Sequence, residues 1–96
     1  MLIISGTAEF VGTSGKFTKG DQHEFTMFCA NENLDEQLKE IEAFFNDRDW
    51  DEIVIQENGV IADETLLEND TLKQAYQKAS TEKFSLIVKN ISVSNV

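Results

Sequence analysis

The sequence predicts an α+β domain in which two helices pack on one face of a mixed sheet of four to five strands. Three observations support this: residues 2–11 alternate as a strand does, residues 34–45 and 66–79 carry apolar stripes at helical spacing, and residues 84–89 form a short apolar run. The expected order is β-β-α-β-(β)-α-β. At 96 residues with no linker-like stretch, we expect residues 1–96 to form a single domain.

The first two strands are predicted to form a hairpin. Alternate residues share one face of the first strand: Leu2, Ile4, Gly6, Ala8 and Phe10. Residues 12–22 contain three glycines among small and charged residues, which is typical of a loop. The segment from His23 to Ala30 is apolar at both alternating sets of positions, so we expect a central strand whose two faces are both at least partly covered.

The first helix is predicted from Asn33, a suitable N-cap, to about Asn46. Its apolar stripe lies at successive steps of four, three, three and one residues, at Leu34, Leu38, Ile41, Phe44 and Phe45. Acidic residues collect on the other side. We therefore expect the stripe to face the core and the carboxylates to face solvent.

The second half of the chain is predicted to alternate strands with a helix. Residues 50–56 form a strand that ends at Asn58-Gly59, a turn signal from which residues 60–62 could return as a short strand. Asp63 can cap the helix that follows, and a second cap at Asn69 could restart it. Residues 84–89 form the last strand, and the tail 90–96 is expected to fray. Because strand–helix–strand units favour parallel crossovers, the sheet is predicted to be mixed.

The acidic residues are concentrated in one part of the chain. The segment Glu32–Asp70, called here the acidic segment, holds 14 of the 18 Asp and Glu residues and only two basic ones. Its formal charge is −12, whereas the net charge of the whole chain is −10 because the remaining residues are slightly basic. A compact domain with such a surface repels nucleic acid and anionic membranes and attracts a cationic protein. We therefore expect a cationic protein partner, and neither a nucleic-acid nor a membrane partner.

The sequence offers little material for catalysis or metal binding. It contains one His, one Cys and one Arg, and no phosphate-binding glycine motif. Asp47, Asp49 and Asp51 are spaced like the start of a calcium loop, but Glu52 stands where that loop needs glycine and Asn58 where it needs glutamate. We expect no enzyme activity, no metal and no cofactor.

The chain is expected to be cytoplasmic and monomeric when free. Its N-terminus lacks the basic and apolar regions of a secretory signal, and no apolar run is long enough to cross a membrane. A single thiol, Cys29, in an apolar strand is typical of a buried, inert cysteine in a reducing compartment. The large net negative charge disfavours self-association through the acidic surface.

In size, acidity and lack of catalytic groups, the chain resembles the small acidic immunity proteins with which bacteria neutralise nuclease toxins, including those of contact-dependent inhibition systems. The resemblance implies a protein-binding inhibitor that occludes the cationic active or substrate-binding site of a toxin nuclease domain. Two other functions would account for the same acidic composition: a phage-encoded DNA mimic of the anti-CRISPR type, and a small cytosolic adaptor whose charge serves only solubility.

The partner-binding surface is predicted within the acidic segment. Its residues are the carboxylates near the first helix and the turn after it, together with one aromatic residue that serves as an anchor if it is exposed rather than buried: Asp35, Glu36, Glu40, Asp47, Asp49, Asp51 and Trp50.

Overall fold

The structure is a computed structural model that describes residues 1–13 and 15–93. Its strands and helices follow one another in the order β1 (Leu2–Phe10), β2 (Gln22–Cys29), α1 (Leu38–Asn46), β3 (Trp50–Val60), α2 (Asp70–Glu82) and β4 (Phe84–Ser92). Short 3₁₀ turns at Asp35–Gln37 and Glu64–Leu66 precede the two helices. The predicted α+β class, with a four-stranded sheet and two helices, is confirmed.

The strand order is β3-β1-β2-β4, and every pair of neighbours is antiparallel. The sheet is therefore antiparallel and not mixed as predicted. The physical reason lies in the connection through α1: β2 and β3 do point the same way, but β1 lies between them, so the parallel strands never pair. The β1–β2 hairpin is confirmed and forms the centre of the sheet, with β3 and β4 at the two edges.

Helix α1 packs on one face of the sheet. Its buried residues Ile41 and Phe45 join the main core cluster, which contains Ile4, Phe25 and Met27 from the two central strands. The rings of Phe25 and Phe45 meet edge to face with centroids 4.8 Å apart. These strand residues alternate along β1 and β2 with residues of the opposite sheet face, so a single face supplies the contacts with α1.

Helix α2 packs on the opposite face. Its buried residues Ala75 and Ala79 lie in a second cluster with Phe28, whose side chain points away from the α1 side because it alternates with Met27 along β2. The hydroxyl of Ser85 donates a hydrogen bond to the carbonyl oxygen of Ala75 at 2.6 Å and ties β4 to the helix. One helix therefore covers each face, which corrects the prediction that both lie on the same face. A helical stripe shows which side of a helix is buried, but not which sheet face it meets.

Strand β3 is longer than predicted. Asn58 and Gly59 lie inside the strand and not in a turn, because β1 pairs with β3 as far as Leu2 opposite Val60. Two register shifts interrupt this pairing. At one of them Gly6 is required: a Cβ at this position would lie 1.8 Å from the carbonyl oxygen of Val54. Residues 60–62 were predicted to return as a short strand. In the described ranges Val60 instead ends β3, and residues 61 and 62 form no fifth strand.

The two caps predicted for the second helix have different roles in the structure. Asn69 caps α2: its side-chain oxygen accepts hydrogen bonds from the backbone N–H groups of Thr71 at 2.7 Å and Leu72 at 3.3 Å. Asp63 caps only the preceding 3₁₀ turn, through the N–H of Thr65 at 2.9 Å. The predicted second cap at Asn69 therefore separates two helical pieces. Strand β4 extends past the predicted end at residue 89, and the part of the predicted frayed tail at 94–96 lies outside the described residues.

Candidate protein-binding surface

The predicted carboxylates are exposed, and they occupy four consecutive parts of the fold. Asp35 and Glu36 lie on the 3₁₀ turn before α1, Glu40 lies on α1, and Asp47 and Asp49 lie in the connection to β3. Asp51 follows at the start of β3, an edge strand. These six carboxylates therefore lie along the 3₁₀ turn, α1, the connection after it and the start of the adjoining edge strand.

Trp50 is not part of this surface, and its prediction as an exposed anchor is wrong. It is only 4% exposed, and its ring packs edge to face against Phe10, Phe17 and His23 with centroids 5.1–5.5 Å apart. The aromatic ring could not contact a partner without leaving the core. Side chains alternate along β3, so Trp50 points inward and Asp51 points outward. Burial of the Trp50 ring therefore holds the start of the strand against the core.

Glu40 differs from the other predicted residues because it is paired. Its carboxylate forms an ion pair with the ammonium group of Lys83, at the end of α2. Both side chains are about half exposed, so the pair contributes little to stability, but it offsets the charge that Glu40 presents to a partner. Among the predicted residues, Glu40 is therefore the weakest candidate for attracting a cation.

The connection between α1 and β3 has a fixed conformation. Asp49 has a φ of 66°, in the left-handed region, and its carbonyl oxygen accepts a hydrogen bond from the N–H of Val11 at 2.9 Å. The side-chain amide of Asn46 donates to the carbonyl oxygen of Trp50 at 2.9 Å.

In the described part of the chain, no three His, Cys, Asp or Glu side chains lie close enough to hold a metal ion.

A groove between α1 and β3 adds an apolar centre to the acidic surface. It has a volume of about 430 Å³, and its lining residues all belong to the acidic segment: Leu38, Ile41, Glu42, Asp51, Glu52, Ile53 and Ile55. Ile41 is buried and Ile53 and Ile55 are half-buried, so they form its floor, whereas Leu38, Glu42, Asp51 and Glu52 are exposed at its rim. We call it the α1–β3 groove.

Sequence reasoning missed most of this groove. Leu38 was expected in the core with Ile41, but it is 46% exposed whereas Ile41 is 2% exposed. Glu42 and Glu52 were not among the predicted site residues. One signal was available for Glu42: it stands four positions after Leu38, so the two side chains share one stripe of the helix. No comparable signal exists for Glu52, whose φ of 48° turns the strand locally.

Two buried side chains of the described residues, Cys29 and His23, lie away from the groove. Burial raises the pKa of the Cys29 thiol from about 9 to about 11, so the neutral thiol persists at physiological pH. The imidazole Nδ1–H of His23 donates to the carbonyl oxygen of Lys89 at 2.7 Å and so ties β2 to β4. Neither side chain lines the α1–β3 groove.

No helix in residues 1–13 and 15–93 is long and apolar enough to cross a membrane. Comparison of the chain with protein-family models, with curated proteins and with solved structures finds no match.

Proposed function

We propose that this protein is a cytoplasmic, protein-binding inhibitor of the toxin-immunity type, and that its α1–β3 groove covers a cationic surface of its partner. The observation that carries the proposal is the composition of the groove. Apolar side chains form its floor, carboxylates form its rim, and none of its described lining residues is basic. An apolar centre surrounded by polar groups is the usual arrangement of a protein–protein interface.

Charge supplies the specificity of this interaction. The acidic segment carries −12, and most of its carboxylates are not engaged in the ion pairs formed within residues 1–13 and 15–93, which use only Glu32 and Glu40 from this segment. Unpaired carboxylates around the groove create a local negative potential that accelerates encounter with a cationic surface.

The partner chemistry that fits best is a nuclease domain. A nuclease binds the phosphate backbone with Lys and Arg side chains, so its active site is cationic. The acidic rim would pair with those side chains, while the apolar floor would exclude water around them. Inhibition would then result from occlusion of the substrate-binding site, without any catalytic step by the inhibitor.

We also propose that the free protein is a monomer. Strand β3 has an unpaired edge, which could in principle pair with a second copy. The exposed acidic residues Asp51, Glu52 and Glu57 lie along it, and two register shifts bend it. Like charges and bulges on an edge strand disfavour pairing between identical edges.

The experiment is capture of the partner from cells of the source organism, using three baits. The first bait is the wild-type chain. The second, the groove variant, carries Glu42→Lys and Asp51→Lys. The third, the control variant, carries Glu57→Lys and Glu68→Lys, two exposed positions that do not line the groove. Both variants change the net charge from −10 to −6, so they differ only in where the charge is reversed.

We expect the wild-type and control baits to retain one basic protein, identified by mass spectrometry, and the groove variant to lose it. The captured protein should lose its nuclease activity when wild-type chain is added. Retention of the same partner by all three folded baits would show that the groove is not the binding surface. A captured partner without nuclease activity would refute the immunity assignment.

A further inference from the structure

A second cleft lies on the other side of α1 from the groove, next to β4. It has a volume of about 340 Å³, and its lining residues come from the β1–β2 loop, the end of α1 and the connection after it, the second half of α2, and β4: Lys16, Phe17, Phe44, Arg48, Lys78, Glu82, Phe84, Leu86 and Val88. We call it the cationic cleft. Its lining residues are separated by up to 72 positions in the chain, so only the fold brings them together.

The charge of this cleft is opposite to that of the molecule. Three of the eight basic residues of the chain line it, Lys16, Arg48 and Lys78, against one carboxylate, Glu82. Ion pairs within 4.0 Å in residues 1–13 and 15–93 involve none of these three cations. In a chain with a net charge of −10, three cations and one carboxylate line this cavity.

The walls between the cations are apolar and largely aromatic. The rings of Phe44 and Phe84 meet with centroids 5.4 Å apart. Phe17 forms another wall and is held in place by Phe10 and Trp50, at centroid distances of 5.4 and 5.1 Å. Phe84 belongs to the main core cluster, and Phe17 and Phe44 pack against it, so core contacts hold the walls of the cleft.

Arg48 is the most fixed of the three cations. Its guanidinium carbon lies 3.5 Å from the centroid of the Phe44 ring, and its Nη1 donates a hydrogen bond to the carbonyl oxygen of Phe44 at 3.0 Å. This contact uses one of the five N–H donors of the group, and the others are free to bind an anion in the planar fork that suits phosphate oxygens.

We propose that the cationic cleft binds a small aromatic phosphate monoester. Three cations against one carboxylate favour a ligand with more than one negative charge, and a phosphate monoester carries about −1.5 to −2 at neutral pH. The aromatic and aliphatic walls favour a ring attached to that phosphate. A volume of about 340 Å³ is near the lower end of small-molecule sites, which limits the ligand to a small body. This site is independent of the α1–β3 groove and of the proposed inhibitory function.

The test is an NMR titration of the isotope-labelled full chain with phenyl phosphate. Inorganic phosphate and phenol serve as parallel probes that carry only the charge or only the ring. With phenyl phosphate, we expect saturable chemical-shift changes at the amides and rings of Phe17, Phe44 and Phe84. The dissociation constant of either parallel probe should be at least about tenfold higher. Absence of saturation with phenyl phosphate, or equal binding of inorganic phosphate, would overturn the proposal.

Two variants locate the binding. Arg48→Gln and Lys78→Gln each remove one exposed cation from the cleft, and each should weaken phenyl phosphate binding by about tenfold through loss of a charge-assisted hydrogen bond. Lys19→Gln is the matched control, because Lys19 is an exposed cation of the β1–β2 loop that does not line the cleft. The Lys19→Gln variant should bind phenyl phosphate with the same affinity as the wild type. Equal weakening by all three folded variants would show that only net charge matters and would refute a site at the cleft.

Discussion

Truncation of two neighbouring residues on α1 should separate stability from binding. Leu38 and Ile41 occupy the same apolar stripe, and both line the α1–β3 groove, but Leu38 is 46% exposed and Ile41 is 2% exposed. Ile41→Ala removes buried methyl and methylene groups from the main core, so it should lower the free energy of unfolding by about 2–5 kcal/mol.

Leu38→Ala should cost much less. Full burial of a leucine side chain contributes about 1.5–3 kcal/mol, and Leu38 leaves nearly half of its surface in water, so the loss should be about 1 kcal/mol. No closed cavity forms at the mouth of an open groove, and the cavity term that raises the cost of core truncations is absent. For a domain of this size, the difference between the two variants corresponds to a gap in Tm of roughly 4–8 °C for each kcal/mol.

Urea denaturation followed by the fluorescence of Trp50 measures both values. Trp50 is the single tryptophan of the chain and is buried in the native state, so its emission reports global unfolding. Leu38→Ala should also weaken the complex with the partner, because its exposed side chain lines the groove and would contact the partner. Equal destabilisation by the two variants would refute the assignment of Leu38 to an open groove and return it to the core.

Three further predictions concern the fold. Gly6→Ala should destabilise the protein by more than about 2 kcal/mol in denaturant titrations, because its Cβ would lie 1.8 Å from the carbonyl oxygen of Val54; a cost near zero would contradict the bulge geometry. Asn69→Ala removes the cap of α2, including the 2.7 Å hydrogen bond from the N–H of Thr71, and should lower Tm by the equivalent of about 1 kcal/mol; an unchanged Tm would exclude a capping role. The pKa of Cys29 is raised to about 11 in the folded state, so the unfolded chain loses this proton first and stability should fall from pH 9 to pH 11 by on the order of 2 kcal/mol. This fall should be smaller in Cys29→Ala, and an identical pH dependence in both proteins would rule out burial of the thiol.

Sequence periodicity was sufficient to predict most elements, but not how they associate. The two apolar sides of β2 correctly indicated a strand covered on both faces. They did not indicate that α1 and α2 cover different faces, because each helical stripe is satisfied by any apolar surface. Pairing also overrode local preference at Asn58-Gly59, where hydrogen bonds to β1 extend the strand through a sequence that favours a turn in isolation.

The candidate surface was predictable only as far as it depends on local charge. Acidic side chains between Asp35 and Asp51 were expected to be exposed, and they are, since burial of a carboxylate without a partner is costly. Burial of Trp50 depends on Phe10, Phe17 and His23, which lie far away in the sequence. The cationic cleft depends on contacts of the same long-range kind.

The α1–β3 groove is proposed here as the surface that binds the partner. Its most direct test is the association rate of the captured partner with the wild-type chain, the groove variant and the control variant, at low and high salt. We predict that the groove variant associates at least about tenfold more slowly than the control variant at low salt, and that high salt slows the wild type and narrows this difference. Equal rates for the two variants at both salt concentrations would contradict the claim and leave the acidic segment with a role in solubility alone.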